Sequence, residues 1–128
     1  MSIGDKMIRE YLFKCIRESW SEDTSYKNIW TKECPELNQC AVTAMLIQDY
    51  FGGDLLRCKC SDGSSHYWNR LSDGEMIDLT IKQFKYSGIK PYKDKFMVRD
   101  RKVLNRYKDT YRRYLKLKEE MLKVYIYG

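Results

Sequence analysis

A chain of 128 residues with five cysteines, one histidine and a net charge of +6 is long enough for one domain with a real core. It has no apolar run of membrane-spanning length, and its start, MSIGDKMIRE, lacks the apolar core of a secretory signal. An odd cysteine count without an export signal argues for free thiols over a disulfide framework, so the chain reads as cytoplasmic.

In chain order, Ile3, Met7, Ile8, Tyr11, Leu12, Cys15, Ile16 and Trp20 recur at helical spacing and predict an amphipathic helix over 4–20. A polar loop, 21–38, follows, with Trp30 placed to cover the start of the next helix. From Ala41 to Phe51 the chain is almost entirely apolar, interrupted by Thr43, Gln48 and Asp49. A helix apolar nearly all round must be buried, and Gly52-Gly53 ends it. Cys40 stands at its first turn, where free backbone N–H groups and the helix dipole favour a thiolate.

The period then changes. Residues 55–60 and 65–71 read as strands joined by Ser61-Asp62-Gly63-Ser64, and 75–79 as a third strand after the Ser72-Asp73-Gly74 turn. Thr80 and Gln83 fit a capping box, so a short helix should start there and stop at Gly88 and Pro91. The tail, 99–125, reads as one long basic helix with a stripe of Val103, Tyr107, Tyr111, Tyr114, Leu115, Met121 and Leu122. Ten Lys/Arg against four Asp/Glu between Arg99 and Lys123 account for the whole net charge.

The single histidine, His66, lies on the second strand and shares a face with Trp68. If Ser72-Asp73-Gly74 is a three-residue hairpin loop, Leu71 pairs with Glu75 and Trp68 with Asp78. His66 and Asp78 then become diagonal neighbours on one face, about 7–8 Å apart at the backbone. A slip of one residue would send Asp78 to the other side. The register expected here puts His66, Trp68 and Asp78 on the face that meets the Cys40 helix, and leaves Tyr67, Leu71, Ile77 and Leu79 for the N-terminal or C-terminal helix to cover. Cysteine at a helix start, then histidine, then aspartate is the set that thiol catalysis needs: a nucleophile, a base, and a carboxylate that fixes the base's tautomer. Backbone N–H groups at the helix start would hold an oxyanion, with Gln39 or Asn38 adding a side-chain donor and Trp68 beside the site.

These residues carry a resemblance. Cysteine at a helix start, then His-x-Trp and Asp on paired strands, is similar to the core of the papain-like and transglutaminase-like cysteine hydrolases. More closely, SWSEDTS (19–25), QCAVTAMLIQDYFGGDLLR (39–57), HYWNRLSDGEMIDLT (66–80) and QF (83–84) resemble the bacterial YunG-like family, over roughly the first two thirds of the chain. The resemblance implies a Cys helix packed on an antiparallel sheet and a triad of Cys40, His66 and Asp78. It names no substrate. Asn38 departs from it, because the family tends to have glycine there.

Other readings compete. Cys40 can be a buried core thiol and His66 a structural strand histidine. Cys34, Cys40, Cys58, Cys60 and His66 are conceivable zinc ligands, but their spacings are not the usual knuckle pairs, so neither metal nor cofactor is expected. The basic tail reads as a solvated face rather than a nucleic-acid site. The resulting expectation is an α+β, papain/transglutaminase-like core over 1–95, with a Cys-bearing helix on a small antiparallel sheet. A basic amphipathic helix over 96–128 either packs on that core or projects to meet a protein partner. The expected function is a thiol-dependent hydrolase or acyltransferase acting on an amide or ester of a small molecule or peptide. The alternative is a non-catalytic interaction module on the same scaffold.

Overall fold

The computed structural model describes residues 2–128. Its elements are α1 (Ile3–Ser19), α2 (Cys40–Phe51), β1 (Asp54–Lys59), β2 (Ser65–Arg70), β3 (Met76–Ile77), α3 (Gln83–Ser87), β4 (Met97–Arg99), α4 (Arg101–Arg106) and α5 (Lys108–Tyr127). The fold is α+β, with a four-stranded antiparallel sheet in the order β3-β2-β1-β4. None of its helices is long and apolar enough to cross a membrane, among the described residues.

The hairpin register is the one the Ser72-Asp73-Gly74 loop predicts. Asn69 pairs with Ile77 and Arg70 with Met76, and the Leu71 N–H donates to the Glu75 carbonyl at 2.8 Å. Gly74 takes a φ of 90°, a conformation that glycine accepts without penalty. What covers each face is the reverse of the expectation. α2 lies on the face of Leu55, Tyr67, Asn69, Leu71 and Ile77, where the Asn69 amide donates to the Ala44 carbonyl at 2.9 Å. His66, Trp68 and Asp78 occupy the other face, with Leu56 and Cys58, and the segment from α3 to Phe96 covers it. Both faces are apolar, so hydrophobic pattern alone could not decide which one the core helix takes.

The main core is formed by Phe13 and Ile16 of α1, Val42 to Ile47 of α2, Leu55 of the sheet, and Leu104, Tyr114, Leu117 and Met121 of the tail. α1 buries a narrower stripe than the sequence predicts. Ile3, Met7 and Ile8 stay exposed, while Arg9 turns inward to meet Glu75 at 2.7 Å. The tail is two helices, because Tyr107 leaves helical geometry with a ψ of 106°. That break resets the helical phase. Leu104, Tyr114, Leu117 and Met121 face inward, and Tyr107, Tyr111, Leu115 and Leu122 are exposed. The segment after residue 95 supplies β4 to the sheet and α5 to the same core. α5 packs along α1 and α2 rather than projecting. Arg101 ties α4 to α2 through Asp49 at 2.8 Å, and the Tyr114 hydroxyl donates to the other Asp49 oxygen.

Candidate active site

Four of the five cysteines are buried, and Cys40 is half-buried. It opens α2, whose N-cap residue, Gln39, makes no side-chain cap. The first bond within the helix runs from the Thr43 N–H to the Gln39 carbonyl at 3.1 Å. The N–H groups of the first turn, at Cys40, Ala41 and Val42, therefore have no partner inside α2.

The chain entering this turn is held from both sides. Gln39 is fully buried; its Oε1 accepts from the Thr24 hydroxyl at 2.7 Å and its Nε2 donates to the Ser21 carbonyl at 3.0 Å. Arg113 of α5 donates to the Thr24 carbonyl at 3.2 Å, so the C-terminal helix braces the same loop. Asn38 sits at φ 63°, left-handed backbone that asparagine tolerates and glycine prefers. Its N–H donates to the Gln83 Oε1 at 3.3 Å, while Gln83 Nε2 donates to the Thr80 hydroxyl at 3.1 Å.

His66 is fully buried. Its Nε2 meets the Asp78 Oδ2 at 2.7 Å, and Lys93 Nζ donates to that same oxygen at 2.7 Å. The imidazole stacks on Trp68 at 5.4 Å and takes the edge of Phe84 at 4.7 Å. Lys93 also lies over the Trp68 ring at 4.6 Å. With Nε2 committed to a carboxylate, the neutral imidazole keeps its proton on Nε2 and leaves Nδ1 as the acceptor. Nδ1 is buried and has no hydrogen-bond partner.

Cys40 comes near the imidazole past the edge of the sheet. β3 pairs only with Asn69 and Arg70, so the outer edge of β2 has no strand partner from Ser65 to Trp68. The Ser64 carbonyl accepts from Cys60 on the β1 side, which turns the Ser65 carbonyl outward. There it meets the Cys40 thiol at 3.9 Å. This is how a helix on one face of the sheet reaches a histidine on the other. Burial disfavours the imidazolium, but the bond to Asp78 and the neighbouring Cys40 sulfur outweigh it and raise His66 to about 9. Burial likewise pushes the Asp78 carboxyl up, and His66 and Lys93 together hold it below its usual value.

Cys40 and His66 both line a cleft of about 910 Å³. Asn38, Gln83 and Phe84 also line it, and none of the three tryptophans does. Trp20 bonds the Thr43 hydroxyl at 2.9 Å, and Trp30 closes its own loop on the Pro35 carbonyl at 3.2 Å instead of covering α2. Two of the anticipated substrate contacts thus need correction. Trp68 is buried behind His66, and the Gln39 amide is spent on Ser21 and Thr24. Asn38 does reach the cleft, but its side chain donates to the Ile29 carbonyl at 3.2 Å. Cys34, Cys58 and Cys60 are buried apart from any metal-ligand cluster; no group of three His, Cys, Asp or Glu suited to a metal occurs among the described residues. Burial holds the Cys34 thiol up at about 12 and Cys58 at about 11.

The family model described as "YunG protein" matches residues 9–125. The chain belongs to the YunG family. It is 41% identical over 76 residues to a Bacillus subtilis (strain 168) protein named "Uncharacterized protein YunG", a match covering 59% of this chain and 63% of that protein. No solved structure matches the chain. The YunG family match extends through α5, well past the two thirds of the chain that carry the quoted segments.

Two residues of the site escape a sequence reading. Lys93 lies in a short 3-10 turn, 15 positions from Asp78, and nothing in its neighbours singles it out. Gln83 reads as a helix cap, but α3 starts at Gln83 itself with Lys82 as its cap residue. Its amide instead links Thr80 to the loop before Cys40. The signal available in the sequence is the QF segment, 83–84, which belongs to the family resemblance.

Proposed function

We propose that the protein is a thiol-dependent hydrolase or acyltransferase acting on an amide or ester, built on a papain-like or transglutaminase-like arrangement. Cys40 is the nucleophile, His66 the base and acid, and Asp78 the orienting carboxylate. The observation that carries this reading is the orphaned His66 Nδ1. A buried nitrogen without a partner is costly, and Cys40, which opens a helix without a side-chain cap and lines the same cleft, is near enough to raise the imidazole.

The steps follow from these atoms. The thiol proton rests on Nδ1 as a thiolate–imidazolium pair, the form that the raised His66 favours, and the thiolate attacks the carbonyl carbon. The oxygen gains the charge and is held by the free N–H groups of the first turn of α2, which cost no reorganisation. The C–N or C–O bond breaks, and the leaving amine or alkoxide takes the proton from Nδ1. Water, or an acceptor amine or alcohol, then gives a proton to Nδ1 and attacks the thioester carbon; the C–S bond breaks, and the sulfur leaves as the thiolate that restores the pair with the imidazolium. Through both halves Asp78 keeps the tautomer, and Lys93 keeps Asp78 ionised.

Acylation by p-nitrophenyl esters tests the reading. The expected result is a burst of nitrophenolate and an acyl group found on Cys40 by peptide mass, both lost in Cys40→Ser and His66→Ala. An acyl group spread over several cysteines, or none on Cys40, would contradict it.

A further inference from the structure

We infer that the cleft takes an acyl substrate bearing an anionic group, a carboxylate or a phosphate, and binds that group through Arg57 and Arg99. The inference rests on the Cys40 reading above and adds the class of compound the site selects.

Arg57 is on β1 and Arg99 on β4. Leu55 pairs with Arg99 and Arg57 with Met97, so the two arginines are diagonal neighbours on one face of the sheet. It is the face α2 covers. Both line the cleft, with Tyr67, the cross-strand partner of Arg57. Arg57 is anchored close to the thiol: its Nε donates to the Ser65 hydroxyl at 3.0 Å, and the carbonyl of the same residue touches Cys40. Burial raises the Tyr67 hydroxyl, and Arg99 and Arg57 pull it back, so all three share one small region.

Neither arginine has a carboxylate. Arg9, Arg70, Arg101, Arg112 and Arg113 pair with acids, and Arg17 and Arg106 stand in water. Arg57 and Arg99 are half-buried, and neither forms an ion pair among the described residues. The Arg99 Nε is buried without any hydrogen-bond partner. The acids of the cleft are engaged elsewhere, Asp62 with Ser64 and Asp109 with Arg112 and Arg113. Two partly desolvated guanidinium groups without a counter-ion are unfavourable until an anion completes them. Their planar forks suit the oxygens of a carboxylate or phosphate. A ligand held there would lie along the sheet face with its acyl carbon near Cys40.

Alkylation of Cys40 by iodoacetate and iodoacetamide, compared at low ionic strength, tests this. The two probes differ in charge and little in size, so their rate ratio cancels any change in the thiol itself. The ratio at Cys40 should exceed that of a free small thiol by about tenfold, about 1.4 kcal/mol, and fall with added salt. Arg57→Gln and Arg99→Gln should each lower it, and Arg99→Lys should retain more of it than Arg99→Gln. Protection of Cys40 by glutarate at lower concentration than inorganic phosphate would identify a carboxylate, and the reverse order a phosphate. A wild-type ratio equal to that of the free thiol, unchanged in the glutamine variants, overturns the inference even if iodoacetamide reacts fast. Slow iodoacetamide reaction instead points to failure of the nucleophile assignment.

Discussion

Replacing Asp78 by Asn keeps the shape of the carboxylate and removes its charge, and the only histidine in the chain reports the result. His66 rises from its ordinary 6.5 to about 9. At about 1.4 kcal/mol per pH unit, that is roughly 3 kcal/mol in favour of the imidazolium, gained against the cost of burial. The hydrogen bond to Asp78 is the largest contribution raising it. Without that charge, burial is opposed by Cys40 alone, and the imidazole should fall by about 1–3 pH units. Proton NMR of one imidazole C–H resonance measures this without assignment. Cys40 and His66 share a proton, so the titration is read in a Cys40→Ser background as well. Linkage gives a second readout. A folded-state value raised above the unfolded one stabilises fully below about 6.5, and that contribution is lost as the pH rises through about 9. Urea midpoints of the wild type should therefore drop between pH 6 and pH 9.5, and Asp78→Asn should flatten most of that drop. A wild-type His66 titrating at or below 6.5, or an unchanged titration in Asp78→Asn, would mean that Asp78 does not hold the imidazolium.

Lys93→Met should move His66 the opposite way, upward, because it removes a cation that competes for Asp78 Oδ2 at 2.7 Å; the same resonance measures it. Gly53→Ala should cost more than about 2 kcal/mol in urea unfolding, since φ is 77° and a Cβ would lie 2.3 Å from the Arg70 carbonyl oxygen. Gln83→Leu should slow alkylation of Cys40 and lower stability by about 1–3 kcal/mol, because it strands the Asn38 N–H and the Thr80 hydroxyl.

Much of this site is legible in the sequence, because its parts are local. The Ser72-Asp73-Gly74 loop sets one register, and that register brings His66 and Asp78 to a 2.7 Å contact. The apolar run after Cys40 and the glycines behind it set the buried helix. What the sequence hides is long-range. Tyr67, Leu71 and Ile77 are as apolar as Trp68 and Leu56, so the face chosen by α2 depends on which cover fits, not on pattern. Lys93 reaches Asp78 from a segment with no periodicity. The phase of the tail turns on one residue, Tyr107, that leaves the helix, and a stripe drawn through it as one continuous helix leaves out the buried Leu104 and Leu117. Asn38 is the instructive case. Its φ of 63° explains why glycine suits that position.

Activation of Cys40 by His66 can be read from the relative reactivity of five thiols in one chain. Alkylation by limiting iodoacetamide near neutral pH, followed by peptide mass analysis, ranks them. Cys40 should react well ahead of Cys15, Cys34, Cys58 and Cys60 in the folded protein. His66→Ala should bring its rate down to that of an ordinary accessible thiol, while Cys40 stays the most accessible of the five. A Cys40 rate equal to that of a free thiol in the wild type, or unchanged in His66→Ala, would contradict it.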